Sequence, residues 1–166
     1  MNGFTIKKAK EEDAGLVLSF IKKLAEYEKL EKEVTATEEL LKENLFGKSA
    51  VAECLLGYYE NVPVSFAIYF YNFSTFLAKP GLYLEDLFVL PKYRGRGFGK
   101  AMFVQLAKIA KEKNCGRFEW AVLDWNEPAL KFYESLSAIK LDDWIIHRVT
   151  GKALDKLVNE TVTIIK

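Results

Sequence analysis

The stretch that most constrains the fold runs from residue 82 to residue 100. Its first half is an almost unbroken apolar run, which indicates a strand buried on both faces, and Pro91 ends it. Glycines then alternate with other residues at Gly95, Gly97 and Gly99, and an apolar helical pattern follows at once. Glycines let backbone N–H groups approach a ligand, and a helix start adds unpaired donors. This strand, turn and helix therefore predict an anion cradle for a phosphate group.

Two adjacent carboxylates, Glu85 and Asp86, interrupt the apolar strand. Neighbouring side chains of a strand point to opposite faces, so at least one acid is directed at something other than solvent. A buried ion pair is one explanation for Glu85. The other is a site that binds or deprotonates a cation.

Two common phosphate motifs do not fit the glycine-rich turn. A Walker loop would need glycine in place of Arg94 and a hydroxyl in place of Ala101, and a dinucleotide fingerprint would need glycine in place of Lys100. Arg94-x-x-Gly97-x-Gly99 instead matches the Gln/Arg-x-x-Gly-x-Gly/Ala signature of the GNAT acyltransferases, which hold the pyrophosphate of acetyl-CoA. An ordinary glycine-rich turn with charged neighbours is the alternative.

The length of 166 residues indicates one domain, 1–166, with a sizeable core. No apolar run approaches the roughly 20 residues that span a bilayer, and no signal peptide pattern is present, so we expect no membrane partner. Lys and Arg number 24 against 23 Asp and Glu, which argues against nucleic-acid binding. Cys54 and Cys115 lack metal-ligand spacing and His147 is the sole histidine, so we expect no metal and a reduced, cytoplasmic protein.

Hydrophobic periodicity and turn residues predict a mixed α/β domain. The first helix opens at Asp13, and a second is capped by Thr35 and closed by Gly47; Asn126 caps a later one. The remaining predicted elements are strands at Phe4–Lys8, 51–59, 63–73, 82–90, 117–124, 144–149 and 161–165, a hairpin turn at 60–63, a loop at 72–81 and a helix at 152–159.

With these motifs in place, the chain resembles the GNAT-family N-acetyltransferases, and among them the diamine (spermidine/spermine) and thialysine acetyltransferases. The resemblance is carried by Ala25-x-Tyr27-Glu28, Tyr83-Leu-Glu-Asp-Leu-Phe-Val89, Arg94-Gly-Arg-Gly-Phe-Gly99 and Trp125-Asn-Glu-Pro-x-x-x-Phe-Tyr133. It implies a mixed, mostly antiparallel central sheet flanked by helices and splayed between strands 82–90 and 117–124. It also implies a homodimer.

The activity implied by the resemblance is transfer of the acetyl group of acetyl-CoA to a primary amine of a small cationic substrate, by direct attack in a ternary complex. The substrate would be a polyamine, a diamine or a lysine-like amino acid. An amine of pKa about 10.4 must lose a proton, which costs about 4.6 kcal/mol at pH 7. The resemblance assigns this step to Glu85, acting through water, and protonation of the leaving thiolate to Tyr133.

The resemblance also places the binding residues. The pantetheine arm would lie along Leu87, Phe88 and Val89, and Asn126 would contact the cofactor. The residues around the pyrophosphate would be Arg94, Gly95, Arg96, Gly97, Phe98, Gly99 and Lys100. The residues on the amine side would be Tyr27, Glu28, Glu85, Glu119 and Trp120.

The sequence departs from the family pattern after the tyrosine. Ser137 replaces a frequent glycine, so the helix end must adopt a less permissive cap, and Glu134 and Ser135 replace frequent arginines. Two other functions stay open at this point. One is acetylation of protein lysines or peptide N-termini, and the other is a non-catalytic CoA-binding sensor.

Overall fold

A five-stranded sheet, with its strands in the order in which they occur in the chain, forms the centre of the first unit of the protein. The computed structural model describes residues 3–160, and the chain separates into two units, Met1–Ala121 and Val122–Lys166. The strands are β1 (Phe4–Lys8), β2 (Glu53–Tyr59), β3 (Val62–Ser74), β4 (Lys79–Val89) and β5 (Arg117–Trp120). The helices of this unit are α1 (Ala14–Glu28), α2 (Glu38–Leu41) and α3 (Phe98–Glu112). The mixed α/β prediction is confirmed.

The first four strands pair antiparallel, and β5 pairs parallel to β4. Parallel neighbours need a crossover connection, and α3 supplies it. The parallel pairing begins at Gly81 with Arg117 and ends at Leu84 with Trp120. Beyond residue 84 the two strands no longer pair, so the predicted splay of the sheet is confirmed.

Two tight hairpins connect the antiparallel strands. Between β2 and β3 the turn residues Glu60 and Asn61 both have positive φ, 50° and 64°, which matches the right-handed twist of the flanking strands. Between β3 and β4 the pairing continues to Ser74 with Lys79. The predicted loop at 72–81 is therefore wrong, because its polar, proline and glycine residues lie mostly within two long strands.

The helix α1 packs its apolar stripe against one face of the sheet. Val17 and Phe20 are buried there with Phe66 and Phe88, and Phe20 stacks on Phe66 with ring centroids 5.4 Å apart. Four more residues of α1 are packed against this cluster: Leu16, Ile21, Leu24 and Tyr27. On α3 the buried residues are Phe98, Met102, Phe103, Leu106 and Ala110.

The second helix begins two residues later than predicted. Thr37, not Thr35, is the N-cap, because its hydroxyl accepts a hydrogen bond from the N–H of Leu40 at 3.2 Å. After α2 the chain continues into a π-helical turn, Lys42–Phe46, which Gly47 ends as predicted. Three short 3₁₀ turns complete the unit, at Glu11–Asp13, Glu31–Glu33 and Pro91–Tyr93.

The second unit contains α4 (Glu127–Ser135) and α5 (Gly151–Val158). The predicted strand at 144–149 is wrong for the described chain, where these residues are irregular. Their β-prone composition is not sufficient, because a strand also needs a neighbour to receive its backbone hydrogen bonds. The strand predicted at 161–165 lies outside the described residues. Within residues 3–160, every helix is too short or too polar to cross a bilayer.

Candidate active site

A β-bulge in β4 places Glu85 at the point where the sheet opens. Ile68 pairs with Asp86 and Tyr69 with Leu84, so β4 has one extra residue, Glu85, opposite β3. On the other side, the pairing of β4 with β5 has ended one residue earlier. Glu85 thus lies outside the strand pairing on both sides, and its side chain is exposed. Sequence analysis placed Glu85 within a regular strand and did not predict the bulge.

The neighbouring acid, Asp86, has the most perturbed carboxyl of the site. Burial, and then the negative charges of Glu85 and Glu28, raise its pKa from 3.8 to about 7. Burial also raises the pKa of Glu28, at the end of α1. Because these negative charges act on the half-buried Asp86, a cation bound beside them would restore its ionisation. Sequence analysis noted Asp86 only as the neighbour of Glu85, because strand alternation alone does not tell which of the two acids is turned inward.

Glu119, on β5, extends the acidic face that Glu28, Glu85 and Asp86 form. Its carboxylate lies 2.9 Å from the Nε of Arg117 and accepts a hydrogen bond from the Asn72 amide at 3.4 Å. Tyr83, paired with Glu119 across the two strands, has a pKa raised by burial and then by the charges of Glu85 and Glu119. The carboxylates of Glu85 and Glu119 therefore both act on Tyr83, from the same side of β4.

Four of the predicted amine-site residues thus gather at the end of α1 and on the adjoining sheet face: Tyr27, Glu28, Glu85 and Glu119. The Tyr27 ring packs 6.3 Å from the ring of Phe88. Trp120 differs from this group, because the alternation of β5 turns it to the opposite face from Glu119. There its ring contacts Phe103 of α3 at 4.9 Å.

The predicted cradle follows β4. Gly95 and Gly97 have φ of +75° and +82°, a left-handed conformation that glycine adopts without strain. Gly97 is the N-cap of α3, and the first helical hydrogen bond runs from the N–H of Ala101 to its carbonyl. A side chain built on Gly95 would meet no atom within 4 Å, so the loop is not packed shut. A diphosphate fits this open helix start.

The two arginines of the cradle rest on aromatic rings. Arg94 donates from Nε to the carbonyl of Val89 at 3.0 Å, and its guanidinium lies 4.4 Å from the centre of the Tyr27 ring. Arg96 lies 5.6 Å from the ring centre of Tyr59. These contacts are within cation–π range. Arg94 therefore joins the cradle to the end of α1, and Arg94, Arg96 and Lys100 are all exposed to solvent.

The three residues predicted along the pantetheine arm are not equivalent. The N–H of Leu90 donates to Val64 at 2.9 Å, which sets the alternation of the β3–β4 ladder. By that alternation the backbone of Phe88 forms hydrogen bonds with the backbone of Phe66. The backbone N–H and C=O groups of Leu87 and Val89 point away from β3. Phe88 and Phe98 are both buried, and Phe98 stacks on Phe4 at 4.3 Å. Their side chains belong to the core.

In the second unit, Asn126 caps α4 as predicted, since its side-chain oxygen accepts from the N–H of Ala129 at 3.4 Å. Tyr133 lies on α4 beside Phe132, with ring centroids 5.5 Å apart. Ser137 has φ of +60°, so it adopts the left-handed cap that a glycine frequently occupies in the family. The helix end therefore has the less permissive cap that the sequence predicts.

Comparison with known proteins decides the family. The sequence matches the Acetyltransferase (GNAT) family over residues 19–137, which is more than half of the chain. The chain belongs to the GNAT acetyltransferase family. It is therefore an acetyl-CoA-dependent N-acetyltransferase that acts on an amine. Among residues 3–160, His, Cys, Asp and Glu side chains form no group of three or more that could hold a metal ion.

Several relatives and solved structures are similar over most of the chain. The thialysine N-epsilon-acetyltransferase of Bos taurus is 36% identical, covering 93% of this chain and 97% of that protein. The L-ornithine N5-acetyltransferase of Arabidopsis thaliana is 43% identical over 58% of this chain and 42% of its own length. An integron cassette protein of V. cholerae has a TM-score of 0.81 at 26% identity, covering 96% of this chain and 100% of that one.

A further solved structure shows the same fold with its cofactor. An aminoglycoside N-acetyltransferase in complex with CoA has a TM-score of 0.70 at 16% identity, covering 88% of this chain and 94% of that one. At this identity the likeness concerns the fold alone.

Proposed function

We propose that the protein acetylates a primary amine of a small cationic substrate, such as a polyamine, a diamine or a lysine-like amino acid, by direct attack in a ternary complex with acetyl-CoA. The observation that carries this proposal is the acidic face beside the bulge, formed by Glu28, Glu85 and Asp86, where burial and then the charges of Glu85 and Glu28 raise the pKa of Asp86. Such a face attracts an ammonium group. A neutral amide product would leave it more readily than the substrate.

Glu85 is proposed to receive the ammonium proton through a water molecule. Removing that proton costs about 4.6 kcal/mol at pH 7 for an amine of pKa near 10.4, so a nearby base has a large effect. The bulge supports this role, because it frees Glu85 from the strand pairing while the charge of Glu85 still acts on Asp86. A buried ion pair at Glu85 is not supported, since the side chain is exposed.

Tyr133 is proposed as the acid that protonates the departing thiolate. A phenol with a pKa near 10 carries its proton at neutral pH and can donate it without prior charging. Position in α4 and family resemblance support this assignment. Tyr27, Glu28, Glu119 and Trp120 are proposed on the amine side, and Trp120 has the weakest support because it packs against Phe103.

The cofactor is proposed to lie against the open edge of β4 and the start of α3. Leu87 and Val89 offer backbone groups on that edge, in the manner of an added strand. The N–H groups at the start of α3 and the glycine loop would hold the pyrophosphate. Arg94, Arg96 and Lys100 supply positive charge, and Asn126 is proposed as a further contact.

The test is a steady-state assay with acetyl-CoA and spermidine, putrescine, thialysine, lysine and a lysine peptide. Tyr133→Phe should lower kcat by about 10²–10⁴-fold while leaving acetyl-CoA binding within a few-fold, as expected for loss of an acid. The matched control is Tyr58→Phe on β2, at a residue outside the proposed site. Turnover by Tyr133→Phe equal to that of wild type would remove Tyr133 from the mechanism.

Glu85→Gln should lower kcat/KM for the amine and flatten the rise of the rate with pH, because the base is lost. Glu60→Gln in the exposed β2–β3 turn is the control. Turnover of the peptide but of none of the small amines would favour the protein acetyltransferase. CoA binding without any turnover would favour the sensor.

We further propose a cytoplasmic homodimer with no nucleic-acid or membrane partner. Both cysteines are free thiols, which suits a reducing compartment. The net charge of +1 provides no field for nucleic acid.

A further inference from the structure

A small polar cluster lies on the sheet face next to the acidic site, across three neighbouring strands. Asn72 of β3, Gly81 of β4 and Arg117 of β5 form one straight row in the strand register. A Cβ on Gly81 would meet the Oδ1 of Asn72 at 2.2 Å and the Cγ of Arg117 at 3.0 Å. Both side chains therefore converge over Gly81, which leaves them room because it has no side chain.

The cluster holds one positive and one negative group that remain reachable. Arg117 and Glu119 have side chains that are 36% and 29% exposed, with Nε and Oε2 2.9 Å apart. The hydrogen-bonding capacity of the cluster is not used up, since the Oδ1 of Asn72 is buried without a hydrogen bond. Buried polar atoms are usually paired, so this unpaired acceptor indicates a missing donor.

The strand register fixes the distance from this cluster to Glu85, the proposed base. Glu119 is in register with Tyr83, two residues before Glu85, and Arg117 lies two residues further back. Two residues of a strand span about 6.6 Å. The side chain of lysine has five bonds of about 1.5 Å between its terminal nitrogen and its α-carbon, or about 6 Å when extended. An amine at Glu85 would thus place the α-carbon of a lysine-like substrate at the level of Glu119, whose carboxylate is paired with the guanidinium of Arg117.

We infer that Arg117, Glu119 and Asn72 bind the amino-acid end of the substrate, so that the enzyme selects ω-amino α-amino acids over plain diamines. Arg117 receives the α-carboxylate and Glu119 the α-ammonium group, and the planar guanidinium suits a carboxylate. A diamine lacks the carboxylate, so it would lose this contact with Arg117. This inference rests on the proposed function, because it assigns the far end of the substrate in the same site.

The experiment compares amines that differ only by the α-carboxylate: lysine with cadaverine, and ornithine with putrescine. Wild type should show kcat/KM at least about tenfold higher for each amino acid, the effect of one charge-assisted hydrogen bond. Arg117→Met should lower this ratio by about tenfold or more. Gly81→Ala, which forces Asn72 and Arg117 apart without changing a charge, should lower the ratio in the same direction.

The control is Lys108→Met on the exposed face of α3, which removes a positive charge elsewhere and should leave the ratio at its wild-type value. Thermal melting and acetyl-CoA binding show whether each variant is folded. A wild-type ratio near one would overturn the inference. So would an Arg117→Met variant that is folded and loses activity on both members of a pair by the same factor, because Arg117 would then only tie β5 to the sheet.

Calorimetric titration with lysine and with cadaverine separates this inference from the proposed function. If neither amine is acetylated, the proposed function fails, yet lysine binding that Arg117→Met abolishes would still support the subsite. Equal binding of both amines, or no lysine binding at all, would overturn it.

Discussion

Asp86 is the residue whose ionisation should shape the stability of the protein. A carboxyl with a raised pKa binds its proton more tightly in the folded chain than in the unfolded chain. Between pH 4 and pH 7 the folded state therefore holds more protons, so stability falls as the pH rises through this window. The displacement from 3.8 to about 7 corresponds to at most about 4 kcal/mol.

Asp86→Asn should accordingly raise the melting temperature at pH 8 and flatten its decline between pH 4 and pH 7. The change removes a charge that is costly to bury and keeps the shape of the side chain. Thermal melting across this pH range measures it, with the exposed Asp143→Asn as control. An equal pH dependence in wild type and Asp86→Asn would contradict the assigned environment.

A second outcome for the same residue concerns the substrate. An ionised Asp86 attracts an ammonium group and a protonated one does not, so KM for the amine should fall as pH rises through about 7. In Asp86→Asn this component of the pH dependence should be absent. Initial rates at fixed saturating acetyl-CoA and varied amine measure it. A KM in wild type that is constant from pH 6 to pH 8 would rule out the contribution of Asp86.

The burial of Glu85 and Asp86 could be predicted only in part from the sequence. The alternation of a strand was enough to predict that Glu85 or Asp86 is turned away from water. It could not say which one, because the answer depends on an extra residue in the β3–β4 ladder. A bulge depends on the partner strand, and one strand's sequence does not specify it.

At the scale of elements, the loop between β4 and α3 should be sensitive to a side chain at one glycine and tolerant at another. Gly97→Ala places a Cβ in a left-handed conformation at φ +82°, which costs about 1–2 kcal/mol. It should lower the melting temperature and raise KM for acetyl-CoA, because the start of α3 is displaced. Stability curves in urea and acetyl-CoA titrations measure the two effects.

Gly99→Ala is the matched comparison for stability. Gly99 lies inside α3 at negative φ, and a Cβ there would meet only Val89, at an ordinary 3.8 Å. The free energy of unfolding should therefore stay within about 0.5 kcal/mol of wild type. If Gly97→Ala had the same free energy of unfolding as Gly99→Ala, the left-handed conformation assigned to Gly97 would be wrong.

Elements with a strong local signal were predicted closely. β1 has the predicted bounds, and α1 and α4 follow their predicted caps at Asp13 and Asn126. The failures lie where tertiary pairing decides. Residues 72–81 have loop-like composition but belong to a long hairpin, and residues 121–124 continue an apolar run without a strand neighbour. The cradle succeeded because its glycines, charges and helix start are all local.

At the scale of the whole molecule, the GNAT family is established over residues 19–137, a range with members in both units. The sequence predicted this because four motifs occur in the family order from residue 25 to residue 133. The choice of amine could not be predicted in the same way. The subsite that we infer for it depends on the contact of Arg117 with Glu119, which arises only when β5 pairs with β4.

The prediction of a homodimer rests on exposed apolar side chains in the second unit. Between residues 139 and 149 large apolar side chains are exposed, among them Ile139 at 86%, Trp144 at 76% and Ile145 at 79%. A soluble chain rarely exposes so many apolar groups in one stretch unless a partner covers them. Residues 139–149 have strand-forming composition, yet they form no strand with any part of the chain that the structure describes. A second copy of the chain would supply both the cover and the backbone partners.

Sedimentation equilibrium should therefore give a mass near twice 19.0 kDa at micromolar concentration. Ile145→Glu should shift the protein toward 19.0 kDa, because a charge would be buried in the apolar contact. Lys23→Glu, on the exposed side of α1, adds the same acid elsewhere and should leave the mass unchanged. The melting temperature of wild type should also rise with protein concentration, as expected when association stabilises the fold. A wild type of 19.0 kDa throughout would contradict the dimer, and residues 139–149 would then need another partner.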